Sequence, residues 1–298
     1  MANVVVTGGA GFIGSNLVDR LIREDHVVTV IDNLSTGNKR YINPQATFIN
    51  MDIRNFPLLL KSIKNTNYVF HLAALPRIQR SILNPLETND VNIQGTLNVL
   101  EVSRLNKVKK VIFASSSSVY GNQKHFPLTE DMTPDPLSPY SLQKLAGEWY
   151  CKLYSRLYNL ETVCLRFFSV YGPRQNENEE HATVIARFQH LKNIKKPLPI
   201  TGNGEQTRDF THVDDVVGAC LSIMNSIEFQ GVGQAYNVCS GKSYSINKLA
   251  LLMNGERIFL PSKTGEIKKM IGDNNSLFKA TGWIPQRSLK EYLLTECE

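Results

Sequence analysis

The chain has 298 residues, 42% of them hydrophobic, with a net charge of +6. That suffices for one large α/β domain with a smaller lobe, or for two modest domains, and the apolar runs are too short to cross a bilayer. Basic residues are scattered, apart from short clusters such as Lys107, Lys109 and Lys110 or Lys192, Lys195 and Lys196. No aromatic residues interleave with them, so an anionic small ligand is favoured over nucleic acid.

The first half alternates β-branched apolar runs with helical patterns. Strands are predicted at Asn3–Thr7, Val27–Asp32, Thr47–Asn50, Tyr68–His71, Val111–Ala114 and Thr162–Arg166. Helices are predicted at Ile13–Arg23, Phe56–Ile63, Val91–Leu105 and Tyr140–Tyr158. Such alternation implies a doubly wound parallel sheet, covered on both faces, with ligands at the C-terminal strand ends. Beyond Tyr171 the alternation breaks down. A turn at Gly172-Pro173 and a polar, acidic stretch, Asn176–Glu180, come first. They are followed by a helix near Thr183–Leu191, the Gly202-Asn203-Gly204 turn, a helix at Val213–Met224 and a strand at Gln234–Val238.

Five cysteines (Cys151, Cys164, Cys220, Cys239 and Cys297) form no C-x-x-C pair, and the six histidines show no ligand spacing. Reduced thiols and no metal are expected. Met-Ala-Asn runs straight into Val4–Val6 without a charged-then-apolar leader, so a soluble cytoplasmic protein with no membrane partner is the expectation.

Three motifs carry chemistry. Thr7–Gly14 places Gly8, Gly11 and Gly14 between the first strand and first helix, where free amides and a positive dipole end can cradle a pyrophosphate. Asp32, ending the second strand, can accept hydrogen bonds from a ribose diol and would repel a 2′-phosphate, which favours NAD over NADP. Tyr140 and Lys144, one turn apart on a helix, form a plausible general acid/base, the ammonium and a nicotinamide cation lowering the pKa of the phenol. The serine run Ser115–Ser118 follows the fifth strand and brings hydroxyls to the ligand edge.

Together these residues resemble the extended short-chain dehydrogenases/reductases, the NAD-dependent epimerase/dehydratase family that acts on nucleotide sugars. The resemblance runs through Asp52-Ile53-Arg54, His71–Ala74, Asn92 with Gly95-Thr96, Val119-Tyr120-Gly121, Leu165–Phe168, Val170–Arg174 and Arg208-Asp209-Phe210. It implies a Rossmann domain over 1–170, with 210–240 returning to it. The remainder, 171–209 and 241–298, would form a nucleotide-sugar lobe. NAD would lie along Gly8, Gly11, Phe12, Ile13, Gly14, Asp32, Asn33, Asp52, Ile53, Leu72, Ala73, Ala74, Asn92, Tyr140, Lys144 and Phe168. Ser116 or Ser117 would sit beside the reacting hydroxyl. The UDP-sugar would meet Arg77, Ser116, Ser117, Tyr140, Ser169, Arg208, Lys263 and Met270. Lys263 replaces an arginine, so a bidentate clamp becomes a point charge.

Related 4,6-dehydratases and decarboxylases carry an acid just before Val-Tyr-Gly; this chain has Ser117-Ser118. Epimerisation at C4 of a UDP-hexose through a 4-keto sugar is therefore favoured, on UDP-glucose/galactose and on their N-acetyl forms. Dehydratase, decarboxylase, 4-ketoreductase and UDP-uronate epimerase remain as alternatives. A nonenzymatic dinucleotide-binding regulator is disfavoured by the intact Tyr–Lys pair. By the same resemblance, helices Val91–Leu105 and Tyr140–Tyr158 pair with their copies in a homodimer.

Overall fold

The computed structural model describes residues 1–175, 182–226, 232–262 and 266–295. The stretch Asn176–Glu180, Lys263 and Cys297 lie outside the described residues. The chain opens with β1 (Asn3–Thr7), α1 (Phe12–Arg23), β2 (Val27–Asp32), β3 (Thr47–Asn50), α2 (Phe56–Ser62) and β4 (Tyr68–His71). Next come α3 (Ile78–Leu83), α4 (Pro85–Asn89), a π turn at Asp90–Gln94, α5 (Gly95–Leu105), β5 (Lys110–Ser116), α6 (Pro139–Tyr158) and β6 (Glu161–Phe167). After β7 (Val170–Tyr171) follow α7 (Val184–Asn193), β8 (Leu198–Thr201), β9 (Thr207–Asp209), β10 (Thr211–His212), α8 (Val213–Asn225) and β11 (Val232–Val238). The last elements are β12 (Ser243–Ser245), α9 (Ile246–Leu252), β13 (Arg257–Leu260), α10 (Asn275–Thr281) and α11 (Leu289–Thr295).

Seven parallel strands form one sheet in the order β11-β6-β5-β4-β1-β2-β3. The order reverses direction between β1 and β4, and the crevice outside their C-terminal ends is where such sheets bind ligands. Alternation along the strands feeds two cores. Val4, Val6, Phe70, Ile112 and Leu165 face α1 and α8 on one side, while Val5, Val69, Val111, Phe113 and Cys164 face α2, α5 and α6 on the other. Leu277 and Trp283, near the C-terminus, pack into the first of these cores. A third core joins Phe188, Leu198, Ile200, Leu249, Met253 and Leu293 in the lobe. A fourth, smaller one packs Val119, Tyr120 and Phe168 against Ile267 and Met270, and so fastens lobe residues to the end of β5.

Local signals set the key helix. Ser138 caps α6 by accepting from the Ser141 amide, Pro139 occupies its first turn, and Asn159 ends it in the left-handed conformation. Gly147 lets α6 lie close on β5: a Cβ there would fall 2.4 Å from the Phe113 ring.

A buried chain of hydrogen bonds ties the sheet to this helix. The Thr96 hydroxyl donates to the Asn92 carbonyl (2.7 Å), so its oxygen accepts from His71 Nε2–H (2.9 Å). His71 Nδ1 then accepts from the Thr7 hydroxyl (2.8 Å). The Asn92 amide holds both backbone groups of Leu75 and donates to Gln143 Oε1 (2.8 Å), next to Lys144. This arrangement corresponds to a neutral His71 with its proton on Nε2. Burial, aided by the charge of Lys144, pushes its pKa from 6.5 down to about 3.

The pH consequence follows from that direction. The folded-state pKa lies below the unfolded one, so stability from neutral His71 is complete above about pH 6.5 and falls as pH drops toward 3. Urea titrations between pH 7 and 4 should show a loss of up to about 1.4 kcal/mol per pH unit from this group. His71→Gln should flatten that slope; an identical slope in the variant would place His71 protonation outside the acid response.

Candidate active site

The loop after β1 is built for close approach. Gly8 has φ +74°, and a Cβ on it would lie 2.6 Å from the Ala73 amide nitrogen; one on Gly14 would lie 2.2 Å from the Gly8 carbonyl oxygen. Gly11 begins α1 with no side-chain cap, and no acid occupies the first turn. The amides of Phe12, Ile13 and Gly14 therefore have no carbonyl within the helix, and the positive dipole end is uncompensated. These glycines fit a dinucleotide pyrophosphate: the backbone is bare where the anion must approach. Leu72, Ala73 and Ala74, partly buried, leave β4 directly opposite.

Asp32 is buried at the end of β2. Its two oxygens accept from the Ala10 amide (3.0 Å) and the Leu34 amide (2.8 Å). Burial raises its pKa, and these two bonds oppose the rise. Beside it Asn33 donates to Asp52 (2.9 Å), whose carboxylate also takes Arg54 at two points, a contact that lowers the Asp52 pKa. Ile53 is buried against Gly95.

The Tyr140–Lys144 face of α6 lies over the end of β5. Lys144 is buried and donates to the Ala114 carbonyl (2.7 Å), its nitrogen 5.9 Å from the centre of the Tyr140 ring. Burial lowers the Lys144 pKa to about 8. Tyr140 is half-buried. Burial raises its pKa, opposed by a hydrogen bond with Ser116 and the charge of Arg77. The Lys144 ammonium, bonded to the Ala114 carbonyl, is not among the groups that oppose the rise in the absence of a cofactor's charge.

The serines separate by geometry. Ser116 meets Tyr140, and its oxygen accepts from the Ser118 amide (3.2 Å). Ser117 points away and donates to the Met270 thioether (2.9 Å). Met270 is buried in the small core with Phe168, whose ring lies against Gly272. Ser169, at φ +24°, follows. Arg77, at φ +95°, precedes α3, and burial lowers its pKa, opposed by Tyr140. Arg208 reaches the Ile267 carbonyl (2.7 Å) and lies 3.8 Å from Glu266. Asn92 is buried, its amide engaged by Leu75 and Gln143.

Residues not singled out from the sequence complete the surroundings. Ser115 donates to Glu148 (2.5 Å), and Glu148 pairs with Arg166 through two bonds (2.9 and 2.7 Å). Two signals were available: an acid one turn beyond Lys144, and an arginine in a strand read as buried. Among the described residues no group of three or more His, Cys, Asp or Glu could hold a metal, and no helix is long and apolar enough to cross a membrane.

Residues 4–239 match the NAD-dependent epimerase/dehydratase family. A Methanocaldococcus jannaschii protein, provisionally named a UDP-glucose 4-epimerase, is 41% identical over 97% of this chain and 95% of its own length. The solved UDP-glucose 4-epimerase of Thermotoga maritima, with UDP-glucose, superimposes with a TM-score of 0.93 at 37% identity, covering 98% of this chain and 96% of that one. The UDP-N-acetylglucosamine 4-epimerase of Methanobrevibacter ruminantium, in complex with UDP-N-acetylmuramic acid, matches with a TM-score of 0.93 at 38% identity, over 99% of this chain and 96% of that one. With the glycine cradle and the Tyr140–Lys144 pair on one crevice, these matches establish that the chain belongs to the NAD-dependent epimerase/dehydratase family.

Proposed function

We propose that the chain is an NAD-dependent UDP-hexose 4-epimerase, acting on UDP-glucose and UDP-galactose and also on their N-acetyl forms. The observation that carries the reading is the meeting of Tyr140 with Ser116 above the Ala114-anchored Lys144, at the edge of the crevice that holds the glycine cradle. Gly8, Gly11 and Gly14 with the α1 amides would hold the pyrophosphate, and Asp32 the adenosine ribose. Asn33, Asp52 and Ile53 would border the adenine; Leu72, Ala73, Ala74 and Phe168 would line the rest. NAD so held supplies a reversible acceptor for the C4 hydrogen and a cationic ring that favours the phenolate.

The chain's own residues handle the proton. Tyr140 accepts it from the sugar 4-hydroxyl and returns it after the 4-keto sugar has turned over. Ser116 hydrogen-bonds the same oxygen, and Lys144 supplies positive charge beneath the phenol. Since burial alone keeps the phenol protonated, base function depends on those cations. Ser117, where dehydratases carry an acid, faces Met270 and offers no group to expel water. Arg208, with Lys263, would meet the diphosphate, while Arg77 and Ser169 would border the sugar. Met270 would limit the room beside C2; its unbranched side chain suits an acetamido group better than a rigid ring would.

Tyr140→Phe should retain NAD binding and lose about 10²–10⁴-fold in turnover, read by NMR of UDP-glucose, UDP-galactose and the N-acetyl pair. Wild-type rates in that variant would remove Tyr140 from the chemistry. Calorimetry should give NAD at least about tenfold tighter binding than NADP, about 1.4 kcal/mol; equal affinities would sink the ribose role of Asp32.

We also infer a homodimer through α5 and α6. Leu142, Trp149, Leu153 and Leu157 form an exposed apolar line along α6. Light scattering should give about twice the chain mass at micromolar concentration, and Leu153→Glu should lower it; a monomeric wild type would overturn the assignment.

A further inference from the structure

The pairing of β5 with β6 sets Ser115 opposite Arg166, and α6 crosses both strands. Lys144 and Glu148, one turn apart on α6, therefore reach successive residues of β5. Lys144 donates to the Ala114 carbonyl at 2.7 Å, and Glu148 accepts from the Ser115 hydroxyl at 2.5 Å. Arg166 clasps the Glu148 carboxylate at two points, and its far face packs over the Tyr120 ring, 4.7 Å from the centre. The side chains of Arg166 and Glu148 are only 5% and 8% exposed.

A buried ion pair of this kind contributes little net stability, because desolvation offsets the attraction, and apolar replacements are often as stable. Stability alone therefore does not account for it. Its position does: the carboxylate is one turn from the ammonium that underlies Tyr140. We propose that Glu148, oriented by Ser115 and clasped by Arg166, is the counter-charge that keeps Lys144 an ammonium ion, with Arg166 setting how much of that charge Lys144 feels. The proposal rests on the reading that Tyr140 and Lys144 carry the chemistry, and it makes Glu148 and Arg166 positioning residues rather than catalytic ones.

The surroundings of Lys144 support the assignment. From α6 it is faced by Tyr140, Glu148 and Cys151, and from β6 by Cys164, with Arg166 behind Glu148. From β5 it meets the Phe113 ring and the Ala114 carbonyl, and from β4 His71. Arg77, ahead of α3, faces Tyr140. His71 is neutral at working pH, and burial keeps the Cys164 thiol protonated. Glu148 is the one carboxylate in this set, and the ion pair with Arg166 holds it in place. Cys151, then Glu148, then Cys164 oppose the burial that lowers the Lys144 pKa to about 8.

The sign of the effect makes the test specific. In the NAD-loaded protein the alkaline limb of kcat against pH should report loss of the second proton of the Tyr140–Lys144 pair. Glu148→Gln removes the anion and leaves Arg166 as a second buried cation, so the limb should move to lower pH by about one unit or more. Arg166→Gln leaves Glu148 unneutralised, so the limb should move upward. The double variant should return close to wild type. Arg166→Lys keeps a cation but loses the two-point clasp. Its shift should be upward and smaller, and it serves where a glutamine variant does not fold. Lysine ¹³Cε NMR titration of the NAD-loaded proteins should give the same order for Lys144 without any turnover. Absence of epimerisation with every UDP-hexose would overturn the functional reading while the NMR order still decides this one. A Lys144 titration that stays unmoved in folded variants, or moves in one direction in both single variants, would overturn the counter-charge role and leave the ion pair as a structural tie.

Discussion

The site depends on two strand ends coming within backbone contact. β1 and β4 are neighbours, yet the chain leaves them in opposite directions across the sheet, and the loops that follow meet where Gly8 lies against Ala73. Any side chain at Gly8 would collide with the backbone of the opposite loop. The φ of +74° excludes most residues again, so sterics and backbone conformation impose the same choice. Once the two loops are apposed, the helix amides of α1, the Asp32 carboxylate and the end of β5 follow around one crevice.

Much of this was legible because it is local. Short β-branched apolar runs located the seven central strands, and the glycine spacing between a strand and a helix located the cradle. Tyr140 and Lys144 were legible because helical spacing alone puts them on one face. The serine run was legible only as a group. Ser116 turns to Tyr140 and Ser117 to Met270 because β5 ends there in a tight helical turn, and composition carries no trace of that. The anchoring of Lys144 was hidden for a similar reason: sequence spacing places the ammonium near the phenol but does not say that a carbonyl of β5 accepts one of its hydrogen bonds.

Contacts distant in sequence were the least legible. Glu148 meets Arg166 through the register of β5 on β6, and Met270 meets Ser117 through the packing of the lobe on the strand end. Neither can be read from periodicity. A lone charge inside a strand otherwise fit for a core is the one hint, since buried arginine requires a partner. The lobe therefore meets the end of β5 through packing, by way of Met270, Ile267 and Phe168, rather than through a continuous element.

In the buried chain from Thr7 through His71 and Thr96 to Asn92, each hydroxyl and ring nitrogen takes its partner from the next member. Replacing one member by an apolar residue strands a donor or acceptor at its neighbour, out of reach of water. These positions are thus bound to one another as tightly as the letters of a word. Evolutionary drift at one of them is viable only together with changes at the others, and a graft of the glycine loop onto another sheet would have to carry the histidine and the two threonines with it.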